Sequence, residues 1–462
     1  MANFLDVPVE LIPLILDHVL KASHLAAICL INHSFYVFAV SRLYSHVSIY
    51  PWYHNAKTRV MKLFATLAEY PHLAQLVRRL EIRDFPKALP SYEAYEQLRC
   101  SCFQGISNAT RLQSCTWTRD GSLTSYILEP LQQCAQLREL EINGNHSGHY
   151  DPTTLTLFSR MTKISLIMPS GAVLDILPKW IEKTGDSIRS LTLICKSSLL
   201  VTDALLELVS PHLQRLEHLY LAGCPKVTDK GIWAMISHNV NGLVGLGIEG
   251  LSSSFDMGAL STHCARAGGL TSLTSFTLTI HPGHTTGSWM SSTTDLLSHS
   301  QLQIFQVYAT TASFNNLLAD RFCMSVITVH GHHLTRFSFH RLRVSLDAIE
   351  HVCRMCAHLE EIFVLVHADE LAALGPILAL ASHLRAAHVN LTGQPTFYNP
   401  EADAMDIARR CSSTLVQLGI NTRVWQVKRD IVFLAESGIA TRPVLSAYEN
   451  PDIPEQFLVV RA

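Results

Sequence analysis

The chain has 462 residues, in which 36 lysines and arginines are balanced by 38 aspartates and glutamates. Neither charge sign is concentrated in one segment, so the sequence does not favour binding to a nucleic-acid backbone. Charged residues make up 16% and apolar residues 48% of the chain. This balance predicts a long continuous core, and the apolar stretches are too short or too interrupted to cross a membrane.

The first residues do not read as a secretory signal, because they lack a basic start and already contain Asp6, Glu10 and Asp17. We therefore expect a soluble protein of the cytoplasm, the nucleus or both. In those compartments the 12 cysteines are expected to be reduced thiols, most of them buried.

Residues 1–50 show apolar residues at helical spacing. The first set lies at positions 11, 12, 15, 16 and 19, and the second at 28, 31, 35, 38 and 39. Two or three short helices are predicted. Pro13 is compatible with the first helix only if that helix begins around Glu10, because proline is tolerated in a first turn.

This segment resembles the F-box, a helical module that joins a receptor to the Skp adaptor of cullin-RING ubiquitin ligases. The matching residues are Pro8, Glu10, Leu11 and Ile12 at the opening, Ile15 and Val19 in the first helix, Leu25 and Ile28 in the second, and Phe35-Tyr36. The resemblance implies an adaptor-binding surface made of Pro8, Leu11, Ile12, Ile15, Leu25 and Ile28. The alternative is that residues 1–50 only form a helical cap, since the ends of repeat arrays need one.

From residue 112 onward the sequence repeats a pattern with apolar residues at the first, fourth and sixth positions, typical of leucine-rich repeats. The spacing averages about 27.5 residues, within the range of that class. A looser unit precedes them at Val77, Leu80 and Ile82. The twelve units begin at Leu112, Leu137, Met161, Ile188, Leu216, Leu243, Leu273, Leu302, Leu334, Leu359, Leu384 and Leu415.

Each unit predicts a short strand followed by a return helix, and neighbouring units share the apolar side that one unit cannot bury alone. The predicted fold is an α/β leucine-rich-repeat solenoid, a curved horseshoe with parallel strands on the concave face and helices on the convex face. We expect an F-box-like module at 1–50, a linker with an N-terminal cap or irregular first repeat at 51–111, repeats at 112–424 and a C-terminal cap at 425–462.

The unit from Leu216 resembles the cysteine-containing class of leucine-rich repeat. It reads Leu216, Leu219, Leu221, then Gly223-Cys224, Val227-Thr228-Asp229 and Gly231-Ile232. The resemblance implies that Cys224 and the Thr-Asp pair are structural and turn the chain from strand into helix.

The sequence contains two groups of potential metal ligands. Cys353 and Cys356 have the spacing of half a zinc site, but they also fall at helical spacing before a strand, so a helix core is favoured. His330, His332 and His333 lie in a predicted turn without a nearby carboxylate or cysteine. We predict no metal, no cofactor and no catalytic residue, because the common catalytic motifs are missing from the sequence.

The predicted concave face is the remaining candidate for function. Aromatic residues and arginine are enriched at protein interfaces. The predicted target contacts on that face are Tyr220, Tyr308, Arg336, His340 and Phe363. For any one of them, the alternative is a scattered surface residue without a role. Trp289, in the loop 281–289 of a longer repeat, is a further candidate anchor.

Together these features predict a substrate receptor of an SCF-type cullin-RING ubiquitin ligase. Its partners would be a Skp-type adaptor, a cullin scaffold and an unknown target protein, without nucleic acid or membrane. The alternative is a leucine-rich-repeat interaction scaffold with a helical cap and no ligase. In neither case do we expect the chain itself to be an enzyme.

Overall fold

The computed structural model describes residues 8–19, 21–87, 89, 91–250, 252–281, 287–310, 316–393, 399–434 and 438–447. The chain divides into two compact units, with the division after Ile194. Both units are built from parallel strands that alternate with helices. Among the described residues, no helix combines the length and the apolar character that crossing a membrane requires.

In the part of unit 1 that the structure describes there are six strands and eight α-helices. The strands are β1 His46–Ile49, β2 Arg79–Ile82, β3 Ser114–Trp117, β4 Glu139–Asn143, β5 Lys163–Ile167 and β6 Ser190–Ile194. The helices are α1 Ile12–Asp17, α2 Ala22–Ile28, α3 His33–Ser45, α4 Ala56–Glu69, α5 Pro71–Ala74, α6 Tyr92–Asn108, α7 Ser125–Gln133 and α8 Gly171–Thr184.

Among its described residues, unit 2 contains ten strands and eight α-helices. The strands are β7 His218–Ala222, β8 Gly245–Glu249, β9 Ser275–Ile280, β10 Ile304–Ala309, β11 Arg336–Arg343, β12 Glu361–His367, β13 Ala386–Thr392, β14 Gln417–Ile420, β15 Arg423–Leu434 and β16 Gly438–Ala447. The helices are α9 Asp203–Val209, α10 Asp229–Ser237, α11 Met257–Ala267, α12 Gly287–Leu297, α13 Asn316–His330, α14 Leu346–Met355, α15 Leu371–Leu378 and α16 Pro400–Arg410.

The strand register follows the predicted repeat. All twelve predicted units contain a strand that begins two residues after the first apolar position, from β3 to β14. In unit 1, Leu140 pairs with Ile164 and Ile164 with Leu191, and all three are buried. Because each such side chain contributes roughly 1.5–3 kcal/mol when fully buried, these stacked rows hold the repeats together. The predicted α/β leucine-rich-repeat fold is confirmed.

Two strand regions were not predicted. β1 already pairs in parallel with β2, so regular strands begin before the segment assigned to a linker or cap. After β14 the chain turns into an antiparallel hairpin of β15 and β16, which carries the first part of the predicted C-terminal cap. Residues 448–462 of that cap lie outside the described residues. The predicted domain boundaries stay predictions.

Aspartates join the starts of neighbouring helices in unit 2. The carboxylate of Asp203 accepts hydrogen bonds from the backbone N–H and the hydroxyl of Thr228 and from the N–H of Gly231, at 2.6–3.1 Å. Asp229 accepts from the N–H of Asp256, at 3.1 Å. Asp320 accepts from the N–H of Ser345 in the same way, at 2.8 Å. Thr228, Asp256 and Ser345 are the caps of α10, α11 and α14.

Cys224 supports the turn before α10. Its side chain is buried and its thiol donates to the carbonyl of Ala222, at 3.4 Å. Together with the capping role of Thr228, this confirms the structural reading of the cysteine and of the Thr-Asp pair.

The N-terminal module, residues 8–45, has a small core of its own. Helices α1, α2 and α3 bury Ile12, Leu16, Leu25, Phe35 and Ala39 against one another. Pro13 lies in the first turn of α1, as the sequence required. Arg42 of α3 pairs with the side chain of Asp17 and donates to its carbonyl oxygen, at 2.7 Å. Helix α3 then leads directly into β1.

Candidate interaction surfaces

The N-terminal module exposes several large apolar side chains. Leu30, at the end of α2, is 87% exposed. Isolated exposed apolar residues are ordinary on protein surfaces, whereas a group in one small module indicates an interaction site. The exposed apolar set of this module is Leu11, Leu14, Ile15, Leu30, Ile31, Tyr36 and Val37.

Only part of the predicted adaptor surface agrees with this exposure. Pro8, Leu11 and Ile15 are exposed, and Ile28 is partly buried against the module core. Ile12 and Leu25 are only 6% and 5% exposed. Both side chains help to hold the three helices of the module together, and their part in an adaptor surface stays a prediction.

The sheet of unit 1 carries a charged network on the side of the strands that points away from the core. We call this side the open face. Arg83, which is 5% exposed, donates to the carboxylate of Glu141 at 2.8 Å and lies 3.7 Å from that of Glu81. Glu81 also accepts from the hydroxyl of Tyr50 at 2.9 Å and contacts the ring of His46 at 3.2 Å.

The network holds Glu81 in its ionised form. Burial by itself would raise the pKa of this carboxyl, but the hydrogen bonds from His46 and Tyr50 and the charge of Arg83 together lower it to about 2. The open face of unit 1 therefore carries fixed charges that already satisfy one another, and a partner would meet a preorganised charged surface.

The open face of unit 2 carries a row of stacked rings, which we call the aromatic ladder: Tyr308, His340, Phe363 and His388. Tyr308 and His340 stack with their centroids 4.6 Å apart and 5° between the planes. His340 and Phe363 are 5.5 Å apart, and Phe363 and His388 are 5.8 Å apart. The ladder crosses β10, β11, β12 and β13 with one ring from each strand.

A β-bulge in β11 makes the ladder continuous. Ser338, not His340, is the register partner of Phe363, and the register shifts between Ser338 and Arg343. Within this stretch Arg341 is exposed and has a φ of 58°, in the left-handed region that L-residues rarely adopt. The bulge brings the His340 ring beside Phe363, in agreement with the tendency of bulges to redirect a side chain.

Burial keeps one histidine of the ladder uncharged. Desolvation, with a smaller contribution from His388, lowers the pKa of His340 to about 3. Its ring is therefore neutral at physiological pH. Beside the ladder, Arg336 forms an ion pair with Glu361, donating to its carboxylate at 2.6 Å.

The structure brings together three of the five predicted target contacts, Tyr308, His340 and Phe363. Phe363 is only 6% exposed, because the rings of His340 and His388 cover both sides. Its role as a target contact stays a prediction. Arg336 is held by Glu361 on the neighbouring strand.

Tyr220 lies apart from the ladder. Its ring covers Gly247 of the next strand, where an added Cβ would be 2.0 Å from a ring carbon, and its hydroxyl donates to Glu249. Glu249 also accepts from Thr279, at 3.3 Å. These contacts hold the tyrosine against the sheet, where it forms part of the surface of the open face.

The candidate metal ligands fall into ordinary structural positions. Cys353 and Cys356 are buried at the end of α14, and burial raises the pKa of both thiols to about 12. His330 is buried at the end of α13, where desolvation lowers its pKa to about 4, while His332 and His333 are exposed. Trp289 lies in the first turn of α12 and is half-buried; residues 282–286 of its predicted loop lie outside the described residues.

The charged network of unit 1 was not predicted from the sequence. Arg79, Glu81 and Arg83 alternate with Leu80 and Ile82 in the looser repeat. Period-two alternation of charged and apolar residues is a strand signal. It could have nominated Glu81 and Arg83, but not their partners His46 and Tyr50, which lie in and directly after the unpredicted β1.

Solved structures that match this chain include the following two. The crystal structure of the Rad7 and Elc1 complex of yeast matches at 14% identity over 80% of this chain and 94% of that chain, with a TM-score of 0.46. The leucine-rich repeat-containing protein LegL7 from Legionella pneumophila matches at 10% identity over 65% of this chain and 89% of that chain, with a TM-score of 0.38. No family model and no curated protein sequence matches the chain. The fold assignment rests on the strand register described above.

Proposed function

We propose that this protein is a substrate receptor of a cullin-RING ubiquitin ligase. In this proposal the N-terminal module binds a Skp-type adaptor, which links it to a cullin, and the repeats bind a target protein. Ubiquitin transfer would be carried out by the partners, and the protein would act in the cytoplasm or nucleus.

The observation that carries the proposal is the exposed apolar set of the N-terminal module. Its helices satisfy their own core with other residues, so the exposed side chains are not needed to fold the module. Leu11 and Ile15 belong both to this set and to the F-box resemblance in the sequence. Apolar anchors of this kind account for much of the free energy of binding at interfaces.

The open faces of the two units are the proposed target surfaces. Each presents preorganised side chains, a charged network in unit 1 and stacked rings in unit 2, and preorganised groups lose little conformational entropy on binding. We infer that a target protein is recognised by these side chains rather than by the helices.

The adaptor contact is tested with a Leu11→Asp, Ile15→Asp double variant of the full chain. Both side chains are more than 40% exposed, so the module should keep its fold. We expect at least about 30-fold weaker binding to a Skp-type adaptor, the loss produced by removing a hot-spot anchor. Binding is measured by co-purification and by titration with purified adaptor.

The matched control is Leu157→Asp, which changes a similarly exposed leucine of unit 1 outside the module and should leave adaptor binding unchanged. If the wild-type chain recovers no adaptor or cullin, and the double variant behaves like wild type, the receptor proposal is wrong. The module would then be a cap on a repeat scaffold.

A further inference from the structure

The turns that lead into the strands of unit 1 are rich in basic residues. We take each turn as the first residue of a strand and the six residues before it. For β2–β6 these are residues 73–79, 108–114, 133–139, 157–163 and 184–190. Their two acids are Glu139 and Asp186, and their seven basic residues are Arg78, Arg79, Arg111, Arg138, Arg160, Lys163 and Arg189.

The corresponding turns of unit 2 show no such excess. The eight turns that lead into β7–β14 contain three basic and three acidic residues: Arg215, Arg336, Arg385, Glu217, Glu360 and Glu361. The positive charge is therefore a property of unit 1 and not of the repeat itself.

The parallel sheet brings the basic turns of unit 1 together. All five lie at the amino ends of neighbouring parallel strands. With about 4.8 Å between strands, they occupy roughly 19 Å of the sheet edge. This spacing is shorter than the Debye length of about 8 Å at physiological salt, so a ligand meets several of these charges at once. We call the seven basic residues the basic edge. They are dispersed along the sequence, and only the fold collects them.

Three arginines in the middle of the basic edge have no acidic partner. Arg111 and Arg160 are exposed, and Arg138 is half-buried. None of the three forms an ion pair with a carboxylate in the part of the chain that the structure describes. One nitrogen of Arg138 donates to the carbonyl oxygens of Ala135 and Leu137, both at 3.0 Å. These bonds hold the guanidinium in place, and since it has five N–H donors, others remain for a ligand.

A cleft opens in the basic edge between the repeats of β4 and β5. Its volume is about 220 Å³, and Arg138 and Arg160 line it together with Leu131, Leu157 and Phe158. Leu157 is 61% exposed, whereas Leu131 and Phe158 are buried. Sites for whole small molecules usually measure roughly 300–1,000 Å³. This smaller cleft suits one or two apolar side chains.

An acidic protein segment fits this combination better than a nucleic acid does. The arginines would attract phosphates as well as carboxylates. However, a phosphate backbone has no group that gains from contact with an exposed leucine beside an apolar cleft. A peptide supplies both an apolar side chain for the cleft and carboxylates for the guanidinium groups.

We propose that the basic edge of unit 1 binds an acidic segment of a partner protein, which inserts an apolar side chain into the cleft beside Leu157. Arg111, Arg138 and Arg160 bind the carboxylates of that segment. This surface lies at the amino ends of the strands and shares no residue with the exposed apolar set of the N-terminal module. The inference therefore does not depend on adaptor binding.

The direct test measures the binding of fluorescein-labelled peptides to the full chain by anisotropy. The probe is a Leu-Phe pair flanked by glutamates, and two companion peptides carry lysines in place of the glutamates or serines in place of the pair. We expect the probe to bind, the serine peptide to bind at least about tenfold more weakly, and the lysine peptide not to bind. No binding of the probe up to about 1 mM, or equal binding of the lysine peptide, would overturn the proposal.

A charge variant locates the probe on the chain. Arg111→Gln combined with Arg160→Gln removes two exposed charges, and we expect at least about fivefold weaker binding of the probe, an effect that shrinks as salt is added. The matched control is Arg215→Gln combined with Arg385→Gln, which removes two exposed arginines from turns of unit 2. The control should bind like wild type. An equal loss in the control would overturn the proposal, because the probe would then sense only the net charge.

A Leu157→Ser variant tests the cleft. We expect it to bind the probe as weakly as wild type binds the serine peptide, and to bind the serine peptide as wild type does. A short labelled DNA duplex that binds as tightly as the probe, together with no effect of Leu157→Ser on the probe, would show a nucleic-acid site and overturn the proposal. The Leu11→Asp, Ile15→Asp variant should bind the probe like wild type, so this test and the adaptor test can fail separately.

Discussion

The open faces of the two units share one strand geometry but differ in chemistry. In unit 1 the centre is a charged network around Arg83, with every carboxylate held by a donor. In unit 2 the centre is a row of aromatic rings beside the ion pair of Arg336 and Glu361. In a repeat protein, different residues therefore determine the fold and the surface chemistry. Alternate strand residues build the core, while their neighbours are free to vary.

Removing the central cation of unit 1 should have the largest effect. In an Arg83→Met variant, Glu81 and Glu141 lose their buried partner, and we expect the free energy of unfolding of unit 1 to fall by about 3–5 kcal/mol. Urea unfolding combined with hydrogen exchange on the peptides of β2–β4 measures this loss.

Arg336→Met is the matched control in unit 2. Its ion pair with Glu361 is partly exposed on both sides, and such pairs contribute about 1 kcal/mol or less. Equal losses in the two variants would mean that the charged network of unit 1 is no more buried in solution than a surface pair.

Acidification should have the next largest effect, because the two units should lose stability over different pH ranges. Glu81 has a pKa of about 2, below its ordinary value of 4.5, so its stabilising contribution is complete above pH 4.5 and is lost as the pH falls towards 2. His340 has a pKa of about 3, below its ordinary 6.5, and the unfolded state takes up its proton first. Unit 2 should therefore lose stability from pH 6.5 downwards, by about 2 kcal/mol at pH 5 from His340.

Hydrogen exchange, corrected for its intrinsic pH dependence, measures the two units separately between pH 7 and pH 4.5. A His340→Phe variant keeps a ring in the ladder without the titrating group, so unit 2 should then lose less stability over this range. His330, with a pKa of about 4, also destabilises unit 2 as the pH falls, so part of the pH dependence remains in the variant. An unchanged pH dependence in the variant would show that the ladder histidine is not the sensitive group.

The smallest effect concerns the bulge that distinguishes unit 2. Arg341→Gly removes the strain of a left-handed residue, and we expect a gain of about 0.5–1 kcal/mol in thermal or urea unfolding. Asn421→Gly is the control. Asn421 is also left-handed, but its side chain accepts from the N–H of Leu391 at 2.8 Å, so its replacement should destabilise unit 2. A loss of stability in Arg341→Gly would indicate that the arginine side chain stabilises the bulge.

The repeat fold could be predicted from the sequence because its signal is local and recurrent. Leu140, Ile164 and Leu191 recur at a period that only stacked strands explain, and each was found on the predicted strand. The face to which Tyr308 and His340 belong follows from the same alternation. Their stacking in one ladder with Phe363 could not be predicted, because it depends on a bulge at Arg341. The sequence there contains no glycine that would indicate a bulge.

The N-terminal module shows a different limit. Helical spacing correctly predicted a helix within residues 11–19, but it could not predict which of the apolar residues face the module core. Ile12 points inward and Ile15 outward, and this choice depends on the angles at which α1, α2 and α3 pack. Three-helix packing is a tertiary property that spacing within one helix does not encode.

The hydrogen bonds made by these aspartates of unit 2 all join an earlier helix, which accepts, to a later helix, which donates. Asp203, Asp229 and Asp320 each accept from the cap of a later helix. On the ribosome the earlier helix emerges first, so each acceptor can already be in place when its donor leaves the exit tunnel. We therefore expect the repeats of unit 2 that these aspartates join to fold in chain order during synthesis.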